Sequence, residues 1–227
     1  LAVLLLLGVE LGLARQDWVW TWVPGSNSGI IEAMEARVIA PSEPPTVLLM
    51  GSSRVRDAVA PRQLEQALGL PRGGVMNLGV TRGTPYDARL LYERNRAKLS
   101  KAKVLVVGVE DWSFNASVSP NERFRRFASL DERASTFDKD WTLSLLAGYV
   151  WRTYDAQGPL RRLLKSALTG REAALPISDD GRVVWRKEER EEGPAQYDVT
   201  PDVTRSLEDY ATTEGLKAPL MELIALA

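Results

Sequence analysis

"TVLLMGSSRVRD", residues 46–57, is the stretch on which the reading of the fold turns. Val47-Leu48-Leu49-Met50 is a short apolar run of strand type. It is closed by Gly51 and followed by Ser52, Ser53 and the start of a helical pattern. The chain downstream repeats this scheme. In "VAPRQLEQALGL", Pro61 suits a first helical position, Gly69 suits the position just past a helix end, and Leu64 and Leu68 share a face. "GGVMNLG" predicts a second strand. "TPYDARLLYERNRAKL" predicts a helix with Thr84 as N-cap, Pro85 in the first turn and Asp87 completing a capping box. "AKVLVVGVED" predicts a third strand, and its continuous apolar centre implies burial on both faces, as in parallel sheets. This alternation predicts an α/β fold with a mainly parallel sheet over residues 46–111.

The two serines raise a chemical question, because the chain contains no histidine. Ser-His catalysis and the common zinc sites are therefore closed to these residues, and the absence of cysteine excludes disulfides and thiolate metal sites. Metal ligation would fall to carboxylates alone, such as Glu110-Asp111, and no metal site is assigned. "GSSRVR" lacks the Lys-Ser/Thr of a phosphate loop and "GVTRG" lacks the dinucleotide fingerprint, so no cofactor is expected. The 227 residues suit one large domain, or one domain with an appendage. Hydrophobic residues at 44% and charged residues at 26% are those of a globular protein. A formal net charge of -1 offers no basic footprint for nucleic acid.

"LAVLLLLGVELGLA" opens the chain as an apolar run broken by Glu10, followed by Trp18, Trp20 and Trp22. A membrane span needs about 20 apolar residues, and tryptophan favours the interface. Residues 1–23 therefore read as a truncated membrane anchor or signal segment. An uncleaved single-pass anchor is preferred, because "LGLARQ" is a poor cleavage site. The remainder is then expected outside the cytoplasm. Leu1 in place of Met, and a last segment that runs out in helical spacing, predict further sequence on both sides. Residues 24–45 hold a helix, with Ile30, Met34 and Val38 on one face, and a Pro-rich connector. Residues 112–200 read as a mainly helical insertion or cap, with amphipathic helices in "WTLSLLAGYVWRTYD" and "GPLRRLLKSALTG". In the second, Leu160, Leu163, Leu164 and Leu168 share a face; beyond it lie a hairpin-like turn at Asp180-Gly181 and a solvated charge run, "RKEEREEG". Residues 201–227 return to the core.

In an open parallel sheet, sites form at the carboxyl ends of strands. Here those ends carry Gly51-Ser52-Ser53, then Asn77 to Gly79 and on through Gly83-Thr84, then Glu110-Asp111-Trp112. In order and spacing, "VLLMGSSR", "VMNLGVTRGTP" and "KVLVVGVEDWSFN" resemble the SGNH (GDSL-type) hydrolase family, most of all its membrane-anchored bacterial cell-envelope branch. The resemblance covers about residues 46–115. It implies a flavodoxin-like three-layer sandwich with Ser53 as nucleophile. The oxyanion donors it implies are the Ser53 N–H and the Gly79–Gly83 loop, with Asn115 the nearest candidate for the asparagine of the third block. It further implies an extracytoplasmic serine esterase or O-acyltransferase at the bacterial inner membrane. Its partners would be an acylated glycan or envelope polymer and a membrane-bound acyl-transfer protein. Several features depart from the family pattern. Arg82 stands where a glycine precedes Gly83, Glu110-Asp111 end the third strand, and Asn115 is off the expected spacing. The Asp-x-x-His block is also missing. The base is accordingly expected beyond Ala227, and these residues alone are expected to be inactive.

Each candidate also has a plain structural reading. "GSS" often serves as a turn and helix cap. Arg54 is a ligand for an anionic substrate group or a solvated first-turn cation. Arg82 is a further substrate-binding candidate. Asn77 contacts substrate or, preferably, fixes the second loop. Asp111 lines a pocket or caps a helix. Trp112 stacks on a sugar or plugs the core. At the level of function, one alternative is a non-catalytic SGNH-like scaffold binding polysaccharide or export machinery. Another is an unrelated flavodoxin-like domain.

Overall fold

The structure is a computed structural model that describes residues 7–8, 10–14, 29–115, 120–137, 139–169 and 214–227. The tryptophan cluster, the expected hairpin at Asp180-Gly181 and the charge run after it lie outside those residues. The fold is α/β, mostly helical, with a three-stranded parallel sheet. The chain forms two compact units, one from residues 1–33 and 119–175 and one from residues 34–118 and 176–227. Residues 112–115 thus belong with the sheet unit. Helix α1 (Gly29–Met34) and the π-helical turn Glu35–Ile39 carry the chain from the first unit into the second. Ile30, Met34 and Val38 are each at most 1% exposed.

In the sheet unit, β1 (Val47–Gly51) lies between β2 (Val75–Gly79) and β3 (Val104–Val107), with Val47 opposite both Val75 and Val104. Alternate residues of a strand point to opposite faces. Leu48 and Met50 are buried on one face of β1, Val47 and Leu49 on the other. Val47, Leu49 and Val75 pack against Val55, Val59, Leu64 and Leu70. Those side chains lie in or beside α2 (Ser53–Ala58) and α3 (Pro61–Leu68), which connect β1 to β2. Helix α3 begins on Pro61 and ends at Gly69 in the left-handed conformation. Buried Glu65 accepts the Gly73 and Val75 N–H groups at 2.7 and 3.2 Å, which fixes the turn into β2. Helix α4 (Pro85–Arg94) starts with the expected box, in which Thr84 and Asp87 cap each other's N–H groups. It is followed by the short α5 (Arg96–Leu99).

β3 departs from the expectation of burial on both faces, since Val104 and Val106 are 48% and 45% exposed. Val104 and Val106 share one face of the strand, and among the described elements β1 alone makes extensive contact with β3.

The helical unit contains α6 (Glu122–Phe127), α7 (Leu130–Ser135), α8 (Lys139–Val150) and α9 (Arg152–Thr169). Asn121 caps α6, and Ser129 with Glu132 forms a capping box on α7. Phe124 and Phe137 meet edge to face at 5.0 Å. At the centre, Asp155 receives Arg133 at 2.7 Å and Arg125 at 3.2 Å, and the Asp155 and Arg133 side chains are fully buried. Arg133 also donates to the Leu145 carbonyl at 2.7 Å. Gly148 makes room for this pair, since a Cβ there would lie 2.1 Å from an Asp155 oxygen. The break between α8 and α9 falls at Trp151, earlier than the sequence suggested, and Pro159 sits inside α9. Glu10, the residue that interrupts the apolar run, explains the early start. Its carboxylate accepts the Arg152 and Thr153 N–H groups at 2.9 and 2.7 Å and caps α9. Along α9, Leu164 and Leu168 of the expected leucine face are exposed. Among the described residues, no helix is long and apolar enough to cross a membrane.

Helix α10 (Glu214–Leu226) belongs to the sheet unit and packs on α4. Leu216 and Leu223 are buried, the Tyr92 hydroxyl donates to the Leu226 carbonyl at 3.2 Å, and Arg89 pairs with Glu222.

Candidate functional site

The strand order places β2 and β3 on opposite sides of β1, so the chain reverses direction across the sheet between them. The carboxyl end of such a gap is where ligands bind in open α/β sheets. Gly51 closes β1 with φ +147°, a conformation suited to glycine, and a Cβ there would lie 2.7 Å from the Gly108 carbonyl. The chain then enters α2 through Ser52 in extended conformation, as N-cap. The Ser52 hydroxyl accepts the Arg54 N–H at 3.1 Å and donates to Glu110 Oε1, which bridges the gap between the ends of β1 and β3. Glu110 Oε2 accepts the Trp112 indole N–H at 2.6 Å and meets Arg54 Nε at 3.4 Å. The Glu110 side chain is 10% exposed and that of Arg54 is 69% exposed.

Ser53 is the first residue of α2 and is half-buried. Neither its hydroxyl nor its N–H has a hydrogen-bond partner among the described residues. The first amides of a helix lack intrahelical acceptors. Ser52 uses its hydroxyl as a cap, and Ser53 presents both its groups.

On the β2 side, Asn77 is fully buried and works as a clamp. Its amide donates to the Val55 and Val59 carbonyls, each at 3.1 Å, and its oxygen accepts the Gly79 N–H at 3.0 Å. The Gly83 N–H donates to the Val80 carbonyl at 2.9 Å, so the Gly79 and Gly83 amides are both engaged within the loop. The Val80 N–H reaches the Gly51 carbonyl at 2.9 Å, and a Cβ on Gly83 would lie 2.3 Å from that same oxygen. This turn therefore lies directly on the residue that precedes Ser52. Within it, Arg82 is exposed and adopts φ +53°. Beyond β3, residues Asp111–Phe114 form a 3-10 turn with Glu110, rather than Asp111, at the capping position. Asn115 closes the turn, buried, with its N–H on the Trp112 carbonyl at 3.1 Å.

Of the residues singled out from sequence, Arg54 and Trp112 meet on Glu110, while Asn77, Gly79 and Gly83 form the loop latched to Gly51. The Ser52–Glu110 contact joins residues 58 apart and has no signature in local spacing. Arg56 was likewise not anticipated; it is 3% exposed and ties α2 to the loop through Thr81 Oγ1 at 2.8 Å. Among the described residues, no group of three or more His, Cys, Asp or Glu side chains could hold a metal ion. A small cavity of about 90 Å³, lined by Val38, Pro61, Glu65 and Met76 among others, lies at the amino end of β2, away from the serines. No family model, no curated protein and no solved structure matches this chain.

Proposed function

We propose that this chain carries the core of an SGNH-like serine esterase or O-acyltransferase acting on a glycan or cell-envelope polymer, with a flavodoxin-like sandwich and Ser53 as nucleophile. The observation that carries the reading is Ser53 itself, at the carboxyl end of the central strand with its hydroxyl and its N–H both unengaged among the described residues. In the proposed reaction, Ser53 Oγ attacks the acyl carbonyl carbon and its proton passes to a base. The Ser53 N–H holds the developing oxyanion. The base returns the proton to the departing alkoxide, and water or an acceptor hydroxyl then takes the acyl group from serine. Since these residues include no histidine, the reading assigns the base and its orienting aspartate to sequence outside residues 1–227. An extracytoplasmic setting accompanies the proposal and rests on the sequence of residues 1–23, with Glu10 counted in the helical unit through its contact with α9 rather than in a membrane span.

A second reading, a non-catalytic scaffold that binds polysaccharide, draws on two observations. Glu110 sets a carboxylate beside Ser52, and the Gly79 and Gly83 amides are engaged inside their loop. A fluorophosphonate serine probe on the protein expressed from the extended reading frame decides between the readings. Labelling that survives Ser52→Ala and vanishes in Ser53→Ala is the expected result. A folded, histidine-containing protein that takes no label leaves the scaffold reading in place.

A further inference from the structure

We infer that the helical unit docks on an anionic lipid surface through the exposed face of α9. The inference goes beyond the serine-site reading and does not depend on it. At about 100° per residue, Tyr154, Gln157, Arg161, Leu164, Lys165 and Leu168 fall within one arc of about 100° on the helix. All six are exposed, Leu164 and Leu168 at 62% and 78%. Buried Asp155, Ala156 and Pro159 mark the inward side. Asp155 is the one acidic residue of α9, and it is tied to Arg133 and Arg125 in the interior. The outward stripe therefore sets two leucines beside two cations and carries no acid.

Leucine beside Lys and Arg on the outward side of a helix is the pattern of a segment that lies in the plane of a membrane interface. Arg161 and Lys165 match the negative charge of anionic headgroups. Trp151 and Tyr154, both exposed, stand at the start of α9, and such aromatic rings favour the headgroup region. The Glu10 cap brings exposed Leu11 to the same end of the helix. No described helix is long and apolar enough to cross a membrane, so the fit is to its surface. A second copy meeting through the same face would add two more cations and no acid, which disfavours self-association there.

The chain contains no cysteine, so Leu168→Cys carries a single environment-sensitive dye to the stripe. Leu68→Cys carries the same dye to an exposed position of the sheet unit. Each labelled full chain is mixed with vesicles of phosphatidylcholine alone, or of phosphatidylcholine and phosphatidylglycerol in equal parts. Emission from position 168 should shift to the blue on the anionic vesicles, less as salt rises, and stay unchanged on the neutral ones. Position 68 should not respond, which separates the α9 face from partitioning of the apolar run at residues 1–14. Arg161→Gln with Lys165→Gln, made in the Leu168→Cys chain, should weaken partitioning roughly thirtyfold. Its thermal midpoint should hold, because both residues are exposed. An unresponsive dye at position 168, an equal response at position 68 or on neutral vesicles, or a double variant that binds like its parent would overturn the proposal. So would a shift that grows with protein concentration in the absence of lipid, since a second copy would then cover the face.

Discussion

At the centre of the helical unit lies Asp155, with Arg133 and Arg125 drawn onto it and a glycine cleared to make space. At the centre of the sheet unit lie Leu48 and Met50, with no exposed surface, on a strand paired on both sides. The first arrangement depends on each charge having its partner, because an unpaired charge in the interior is far more expensive than a missing methyl group. The second depends on filled volume. Buried polar side chains in the sheet unit hold its connections instead: Asn77 clamps a loop, Glu65 a turn and Ser52 a helix start. The contrast teaches that the two units should fail in different ways when single residues are removed.

The largest effect is expected from Asp155→Ala, which strands Arg133 in the interior. A loss of about 3–5 kcal/mol is expected, and hydrogen exchange should show protection vanishing first in α7 to α9. Uniform loss across both units would end the distinction between them. Leu48→Ala should follow at about 3 kcal/mol, read by denaturant titration, with exchange rising first in β1 and β2. Gly83→Ala comes next, at about 2 kcal/mol, because its methyl would intrude on the Gly51 carbonyl; thermal unfolding measures it. The serine pair closes the series. Ser52→Ala should lose about 1 kcal/mol as a broken cap, and Ser53→Ala should stay within about 0.5 kcal/mol. Equal losses at the two serines would show that Ser53 is as structural as its neighbour.

The parts of the fold that were legible in the sequence are those written in short spacings. The apolar runs gave three strands, Pro61 and Gly69 bracketed a helix, and Thr84 with Asp87 announced another. Ser53 and its flanking glycines were legible for the same reason, as a strand-turn-helix junction. What could not be read depends on partners far along the chain. Glu110 meets Ser52 across 58 residues, and Glu10 caps a helix 142 residues away. The exposure of β3 follows from what packs on it, which its apolar sequence does not encode. Arg133 and Asp155 look like surface charges until α7, α8 and α9 close around them.

The Glu10 contact also bears on how the protein is shortened. Hydropathy alone invites trimming the first two dozen residues to obtain a better-behaved sample. Doing so would remove the acceptor for the first two amides of an 18-residue helix in the other arm of the same unit. The start of α9 would then fray, and with it the backbone that positions Asp155, three residues after Arg152. A preparation lacking residues 1–23 should be judged first by the order of that helix, before any absence of activity is blamed on chemistry.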